Sequence, residues 1–345
     1  MFRIRNGRDP ISSHTEIPPP LIMKILITGI TGMVGSHLAE YALKSHPDVQ
    51  VHGLVRWRSP LDHILPILPR IHLHQAELRD LNSLIKLLGD VRPDWIFHLA
   101  AQSYVTTSFN LPADTLHTNV IGTTNLLDAV RIVGLDPRIH ICSSSEVYGQ
   151  VTEEELPIRE SNPFRPASPY AVSKTGEDMI ALQYWLSYKI KTLRTRMFTH
   201  TGPRRGSVFA ESAFARQIAE VEAGISNGPI RVGNLNSIRT LADVRDAVRA
   251  YWLLLEKGDP GEVYNIGGEE TMSIGELLER LKGMAKCPIQ HVVDPALLRP
   301  SDVTLQIPDI TKFRRVTGWK PEISANQTLL DLLNYHREQI ARNQR

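Results

Sequence analysis

The chain has 345 residues, 42% of them apolar and 22% charged, which suits a globular protein long enough for one large α/β domain with an appendage. A formal charge of +2 at pH 7 excludes a broad basic face for nucleic acid, so an anionic partner has to be met by a few placed arginines. No apolar run is long enough to span a membrane, and Cys142 and Cys287 form neither a CxxC pair nor a disulfide framework, as expected in a reducing cytoplasm.

Residues 1–22 carry Arg3, Arg5, Arg8 and the run Pro18-Pro19-Pro20, and they lack the apolar middle of a secretory signal. They read as a disordered extension; because Met23 directly precedes the first apolar run, an upstream start is the alternative. From residue 23 to about 200, short apolar runs alternate with longer amphipathic ones, the pattern of repeated βα units around a parallel sheet. Strands are expected at Lys24–Thr28, Val51–Val55, Ile71–His74, Trp95–Leu99, Ile139–Ser143 and Thr192–Met197. A single amphipathic helix is expected over Pro112–Gly134, with Leu116, Val120, Leu127 and Val130 on one face. Residues 201–340 are richer in turns and read as a smaller, mainly substrate-binding region, with segments returning to the first domain. The fold class is therefore α/β, a Rossmann-like doubly wound parallel sheet with a smaller C-terminal region.

The first strand runs into Gly29-Ile30-Thr31-Gly32-Met33-Val34-Gly35 and then a helical pattern. Glycines there permit a tight turn and close approach of a pyrophosphate, while the free N–H groups of a helix start stabilise the anion. The second strand ends on Arg56-Trp57-Arg58, where an NAD enzyme would place an acid for the ribose hydroxyl. A guanidinium at Arg56, or at Arg58, suits a 2′-phosphate instead, so NADP is the expected cofactor. The bland alternative is a pair of solvated arginines at a strand end.

The fifth strand leads into Ser143-Ser144-Ser145-Glu146-Val147-Tyr148-Gly149, and Tyr170-Ala171-Val172-Ser173-Lys174 follows about twenty residues later. Tyr170 and Lys174 lie one helical turn apart on one face. An ammonium there, with a bound nicotinamide's positive charge, favours phenolate and brings the tyrosine toward a pKa at which it exchanges a proton with a sugar hydroxyl. A serine hydroxyl at the neighbouring strand end can bond the same oxygen. His72 and His74 share a strand face, but no third ligand accompanies them, and packing rather than metal is expected.

The glycine turn, Leu99-Ala100-Ala101-Gln102-Ser103, Thr118-Asn119-Val120, Ser144–Gly149 and Tyr170–Lys174 together resemble the extended short-chain dehydrogenases/reductases of the epimerase/dehydratase type, over about Met23 to Gln339. Within that group, His98–Ser103, Pro166–Lys174, Gly202-Pro203-Arg204-Arg205-Gly206 and Val232-Gly233-Asn234-Leu235 are similar to the GDP-mannose 4,6-dehydratases and the GDP-4-keto-6-deoxymannose reductases. The resemblance implies Ser144, Tyr170 and Lys174 as the catalytic serine, tyrosine and lysine, and Glu146 as the base of a dehydratase. It implies cofactor contacts from Gly29, Gly32, Met33, Val34, Gly35, Arg56, Glu77, Leu78, Leu99, Ala100 and Ala101. Substrate contacts are implied at Gln102, Ser103, Thr199, Arg239, Arg299 and Asp302, with a supporting role for Asn119.

Three departures stand out: Glu77-Leu78 replaces an Asp-Leu, Thr199 replaces an asparagine, and the stretch after Gly267 is closer to the reductases. The implied function is a nucleotide-sugar 4,6-dehydratase acting on a GDP-linked sugar. An NADPH-dependent reductase of the 4-keto-6-deoxy product and a 4-epimerase are the alternatives. A non-catalytic, cofactor-sensing module of the same fold is the reading from another class, and the intact Ser144, Tyr170 and Lys174 speak against it. Apolar positions on more than one face of the helices around Pro112–Val133 and Ser168–Tyr188 point to homo-oligomerisation, and the resemblance implies a homodimer or homotetramer. Neither membrane nor nucleic acid is an expected partner.

Overall fold

The structure is a computed structural model, and it describes residues 22–298 and 303–344. Seven strands form one parallel sheet: β1 (Lys24–Thr28), β2 (Gln50–Val55), β3 (His72–Gln75), β4 (Trp95–His98), β5 (Arg138–Ser144), β6 (Thr192–Met197) and β7 (Val263–Ile266). The spatial order is β7-β6-β5-β4-β1-β2-β3. The chain moves outward one way from β1 through β2 to β3, then returns to the other side of β1 to lay down β4. That reversal leaves a crevice beyond the carboxyl ends of β1 and β4, the place where open α/β sheets bind ligands. The glycine turn follows β1 and Leu99–Ser103 follows β4, so both open on this crevice.

Each sheet face has its own core, since a sheet buried on both sides must be apolar on both. On one face, Leu38, Ala39 and Ala42 of the helix Met33–Ser45 pack with Tyr251, Leu254 and Leu255 of the helix Val244–Lys257. On the other, Leu84 and Leu88 of Leu81–Val91 meet Leu126, Leu127 and Val130 of Gly122–Val133, with Ala181 and Tyr184 of Pro169–Tyr188. The strand β7 and the helix Val244–Lys257 come from beyond residue 201, and both belong to this layered body. A third core joins Phe214 and Ile218 of Ala210–Glu222, Leu278 and Leu281 of Ile274–Gly283, and Leu329, Leu332 and Leu333 of Ala325–Asn343. Short strands accompany it, among them Ile238–Thr240 between Thr271–Ser273 and Leu305–Gln306.

The single helix expected over Pro112–Gly134 is interrupted. Pro112–Leu116 and Gly122–Val133 are α-helical, but His117–Ile121 forms a widened π turn. Two hydroxyls enter the backbone ladder there: Thr123 Oγ1 donates to the Asn119 carbonyl at 2.7 Å and Thr124 Oγ1 to that of Val120 at 2.8 Å. The extra residue shifts the register, so Leu127 and Val130 are buried while Leu116 is 37% exposed. The widened turn also carries Asn119 inward, where it is needed.

Candidate active site

The glycine turn is built around two positions that tolerate no side chain. Gly29 adopts a φ of +73°, and a Cβ on Gly35 would lie 2.2 Å from the Gly29 carbonyl oxygen. Gly32 caps the helix Met33–Ser45 with no side-chain acceptor and no acid in the first turn, leaving the early N–H groups, those of Met33, Val34 and Gly35, available to an anion. The cradle therefore fits a dinucleotide pyrophosphate. Arg204, in the left-handed region at φ 71°, reaches this helix from the second half of the chain, donating to Ser36 Oγ at 3.1 Å and Glu40 Oε1 at 2.5 Å. Its tie between the two halves was not legible in the sequence.

Beside the turn, a buried relay fixes the end of β4. Thr28 Oγ1 accepts the N–H groups of Leu99 and Ala100, both at 3.1 Å, and so donates its own proton to His98 Nδ1 at 2.9 Å. Thr123 Oγ1, having donated to Asn119, accepts from His98 Nε2 at 2.9 Å. His98 is thus a neutral imidazole carrying its proton on Nε2, and complete burial lowers its pKa to about 3, with Lys174 adding to the effect. Asn119 completes the support: its Oδ1 accepts the Gln102 N–H at 2.8 Å, and its Nδ2 donates to the Gln102 carbonyl at 3.0 Å and Ser173 Oγ at 2.8 Å. Ser173 in turn bonds the Tyr170 carbonyl at 2.7 Å. The loop after β4 is thereby registered against the tyrosine helix.

That helix, Pro169–Tyr188, begins with the Ser168 side chain accepting from Ala171 N at 3.0 Å and with proline in its first turn. Two ion pairs hold it to β6: Asp178 meets Arg194 at 2.6 Å and Arg196 at 2.9 Å, all three side chains at most 5% exposed. Tyr170 and Lys174 therefore project from a fixed helix toward the end of β5. Ser144, the last residue of β5, accepts from Glu146 N at 3.2 Å, and with Lys174 it acts to lower the Tyr170 pKa. Lys174 Nζ donates to the Cys142 carbonyl and to Glu177 Oε2, each at 2.9 Å.

The Tyr170 hydroxyl lies above its ordinary pKa, because burial outweighs the opposing pull of Lys174 and Ser144. Glu177, which contacts Lys174 at 2.9 Å, is the smallest of the causes acting on Tyr170, and it raises the pKa. Glu177 was missed in the sequence, although an acid three residues after the lysine of a YxxxK pattern is a readable signal.

The remaining expected site residues are distributed as follows. Glu146 is half-buried just beyond Ser144, and its carboxylate makes no hydrogen bond or ion pair among the described residues. Arg56 is exposed at the end of β2, and Arg58 stacks over the Trp57 ring at 4.1 Å. Neither arginine is ion-paired among the described residues. Glu77 contacts Arg79 at 3.7 Å, and Leu78 is buried against Gly122. Ala101 and Gln102 are partly buried and Ser103 is exposed. Thr199 lies beyond β6, its carbonyl accepting from Ala242 N at 3.0 Å. Arg239 sits in the strand Ile238–Thr240, between Met272 and Gln306. Arg299 and Asp302 lie outside the described residues.

His72 and His74 pack against a third histidine, His52 on β2, whose Nδ1 lies 2.9 Å from His74 Nε2. Among the described residues no group of three His, Cys, Asp or Glu side chains is arranged to hold a metal ion. Nor is any helix there long and apolar enough to cross a membrane.

A parallel sheet with a glycine cradle at its switch point and a Ser-Tyr-Lys set beside it defines a nucleotide-dependent enzyme of the short-chain dehydrogenase type. The chain belongs to the GDP-mannose 4,6 dehydratase family, whose model matches residues 26–332. It is 34% identical over 314 residues to the GDP-6-deoxy-D-mannose reductase of Pseudomonas aeruginosa, covering 91% of this chain and 97% of that one. It is 34% identical over 349 residues to the GDP-mannose 4,6-dehydratase of Yersinia enterocolitica, covering 90% and 92%. The solved structure of RMD from Pseudomonas aeruginosa complexed with NADPH superimposes with a TM-score of 0.80 at 33% identity, covering 92% of this chain and 99% of that one.

Proposed function

We propose that this protein is an NADP-dependent GDP-mannose 4,6-dehydratase, converting GDP-mannose to GDP-4-keto-6-deoxymannose. The observation that carries the reading is Glu146, a half-buried acid with no partner among the described residues, two residues beyond Ser144 at the end of β5, the strand end that Lys174 reaches through the Cys142 carbonyl. The family match and the 34% identity to a dehydratase support it. When bound, NADP would supply the hydride acceptor and donor that the reaction needs at sugar C4 and C6. Tyr170 takes the proton of the C4 hydroxyl, Ser144 bonds the same oxygen, and Lys174 favours the tyrosine's anionic form. The resulting ketone acidifies the C5 hydrogen. Glu146 takes that proton while hydroxide leaves C6, so water is lost across C5–C6.

The glycine cradle fits the pyrophosphate, and Arg56, exposed and without an acidic partner among the described residues, suits the 2′-phosphate. The equal identity to a reductase keeps one second reading: reduction of the 4-keto-6-deoxy sugar, a reaction that requires no base at C5. Substituting Glu146→Gln distinguishes them. In a dehydratase it lowers water loss by about a hundredfold or more while hydride exchange at C4 survives; an unimpaired dehydration rate removes Glu146 from the mechanism.

Exposed Ile121, Val172, Met179 and Leu186 on the helices flanking the site support pairing with a second copy of the chain. Cys142 and Cys287 are both free, which supports a reducing, cytoplasmic setting.

A further inference from the structure

Glu177 is a costly residue. Its side chain is 1% exposed, one oxygen lies 2.9 Å from Lys174 Nζ, and the other, Oε1, has no hydrogen-bond partner among the described residues. A buried carboxylate left half-satisfied destabilises a fold unless it serves another group. The fold does not call on it to dock the helix, because the adjacent Asp178 already does so through Arg194 and Arg196. What Glu177 contacts is the lysine.

We propose that Glu177 is a positioning residue of the active site, holding the Lys174 ammonium against the Cys142 carbonyl and offsetting part of its charge at Tyr170. The proton affinity of the tyrosine is then set by a Lys174–Glu177 pair rather than by the lysine alone. This rests on the reading of Tyr170 as the acid–base residue.

The groups packed around the pair leave Glu177 as the one that changes charge near neutrality. On β5, burial raises the Cys142 thiol. On the helix Val244–Lys257, Tyr251, whose hydroxyl lies 3.5 Å from Cys142 Sγ, is raised well above its ordinary value by burial. On β4 and β5, burial holds His98 and His140 near 3, neutral at any working pH. On its own helix, Asp178 is committed to two arginines and Tyr170 is raised. Glu177 itself is raised to about 7, because burial outweighs the attraction of the ammonium, and Lys174 is held in its charged form. As the pH falls through the Glu177 midpoint, the carboxylate takes a proton, the offset disappears, and Lys174 pulls the Tyr170 pKa down more strongly. As the pH rises, the offset returns.

The test is a tyrosinate absorbance titration of the full chain, with Tyr170 isolated by difference against Tyr170→Phe, in unaltered and Glu177→Gln backgrounds. Glu177→Gln keeps the shape and an acceptor for Lys174 but removes the charge, and the Tyr170 midpoint is expected to fall by about one unit. Glu177→Asp, which keeps the charge, restores most of the shift. An unmoved midpoint in a folded Glu177→Gln protein overturns the proposal. Should that variant not fold, carbon-13 NMR of carboxyl-labelled glutamate in the unaltered chain, assigned with Glu177→Asp, carries the test. A Glu177 carboxylate that is ionised throughout the range in which Tyr170 titrates supports the proposal, and one still protonated there overturns it. The two readings fail separately: Tyr170→Phe with full turnover removes the acid–base role, whereas an unmoved midpoint alongside an inactive Tyr170→Phe removes only Glu177.

Discussion

Substituting Asp178→Asn removes the one carboxylate that serves two buried arginines. Arg194 and Arg196 bond separate oxygens of Asp178, at 2.6 and 2.9 Å, with all three side chains at most 5% exposed. The amide keeps one acceptor oxygen, so at best one arginine retains a neutral bond and neither retains a countercharge. Arg194 is left with the Gly261 carbonyl at 2.7 Å, and Arg196 with the Glu160 carbonyl at 2.8 Å and the Tyr148 hydroxyl at 3.0 Å. Breaking a buried pair in this way costs about 3–5 kcal/mol. An unfolding entropy of about 2.1 cal/mol/K per residue over 345 residues gives roughly 0.7 kcal/mol/K, so the thermal midpoint falls by about 4–7 °C. Calorimetry on the full chain measures this, with a parallel urea titration. A shift of less than about one degree would refute the argument that this carboxylate clamps the tyrosine helix to β6.

Other consequences follow from the same geometry. Gly35→Ala places a Cβ 2.2 Å from the Gly29 carbonyl oxygen and 2.7 Å from Ile30 Cα, backbone atoms with no freedom to yield. NADPH affinity measured by fluorescence titration falls by about tenfold or more, and an unchanged affinity contradicts the assignment of the cradle. Arg56→Ala removes a charge-assisted contact and reduces the preference for NADPH over NADH by about ten- to a hundredfold, read as a ratio of dissociation constants. An unchanged ratio moves the 2′-phosphate contact to another residue. Burial depresses the pKa of His140 to about 3, against 6.5 for an unburied histidine. Below pH 6.5 the unfolded chain therefore takes up a proton that the folded chain refuses, and stability falls as the pH drops. His140→Gln removes one such group and flattens the slope by up to about 1.4 kcal/mol per pH unit; an unaltered slope in urea titrations between pH 6 and 4 counts against this.

The parallel sheet was legible because its strands are short apolar runs bounded by turns: β1 and β6 fall on the expected residues and β2 to β5 within a residue or two. β7 was not read as a strand, since Val263–Ile266 is only four residues and includes Asn265, whose buried amide is satisfied by Tyr148 and Ile158 only once the chain is folded. The π turn at His117–Ile121 escaped for a related reason. Its cause is a set of hydroxyl bonds and a distant partner, Gln102, and neither alters hydrophobic periodicity. Tyr170 and Lys174 were placed on one helix face by spacing alone, as found. Their electrostatics were not, because the sequence shows charges but not burial: desolvation is the largest effect on Tyr170, and Glu177 lies against Lys174.

The most direct measurement is to incubate the purified full-length chain with GDP-mannose, without added reduced cofactor, and follow the nucleotide sugar by mass spectrometry. The account predicts a product lighter by one water. Unchanged GDP-mannose, together with NADPH consumption when GDP-4-keto-6-deoxymannose is supplied, would contradict it and establish a reductase in its place.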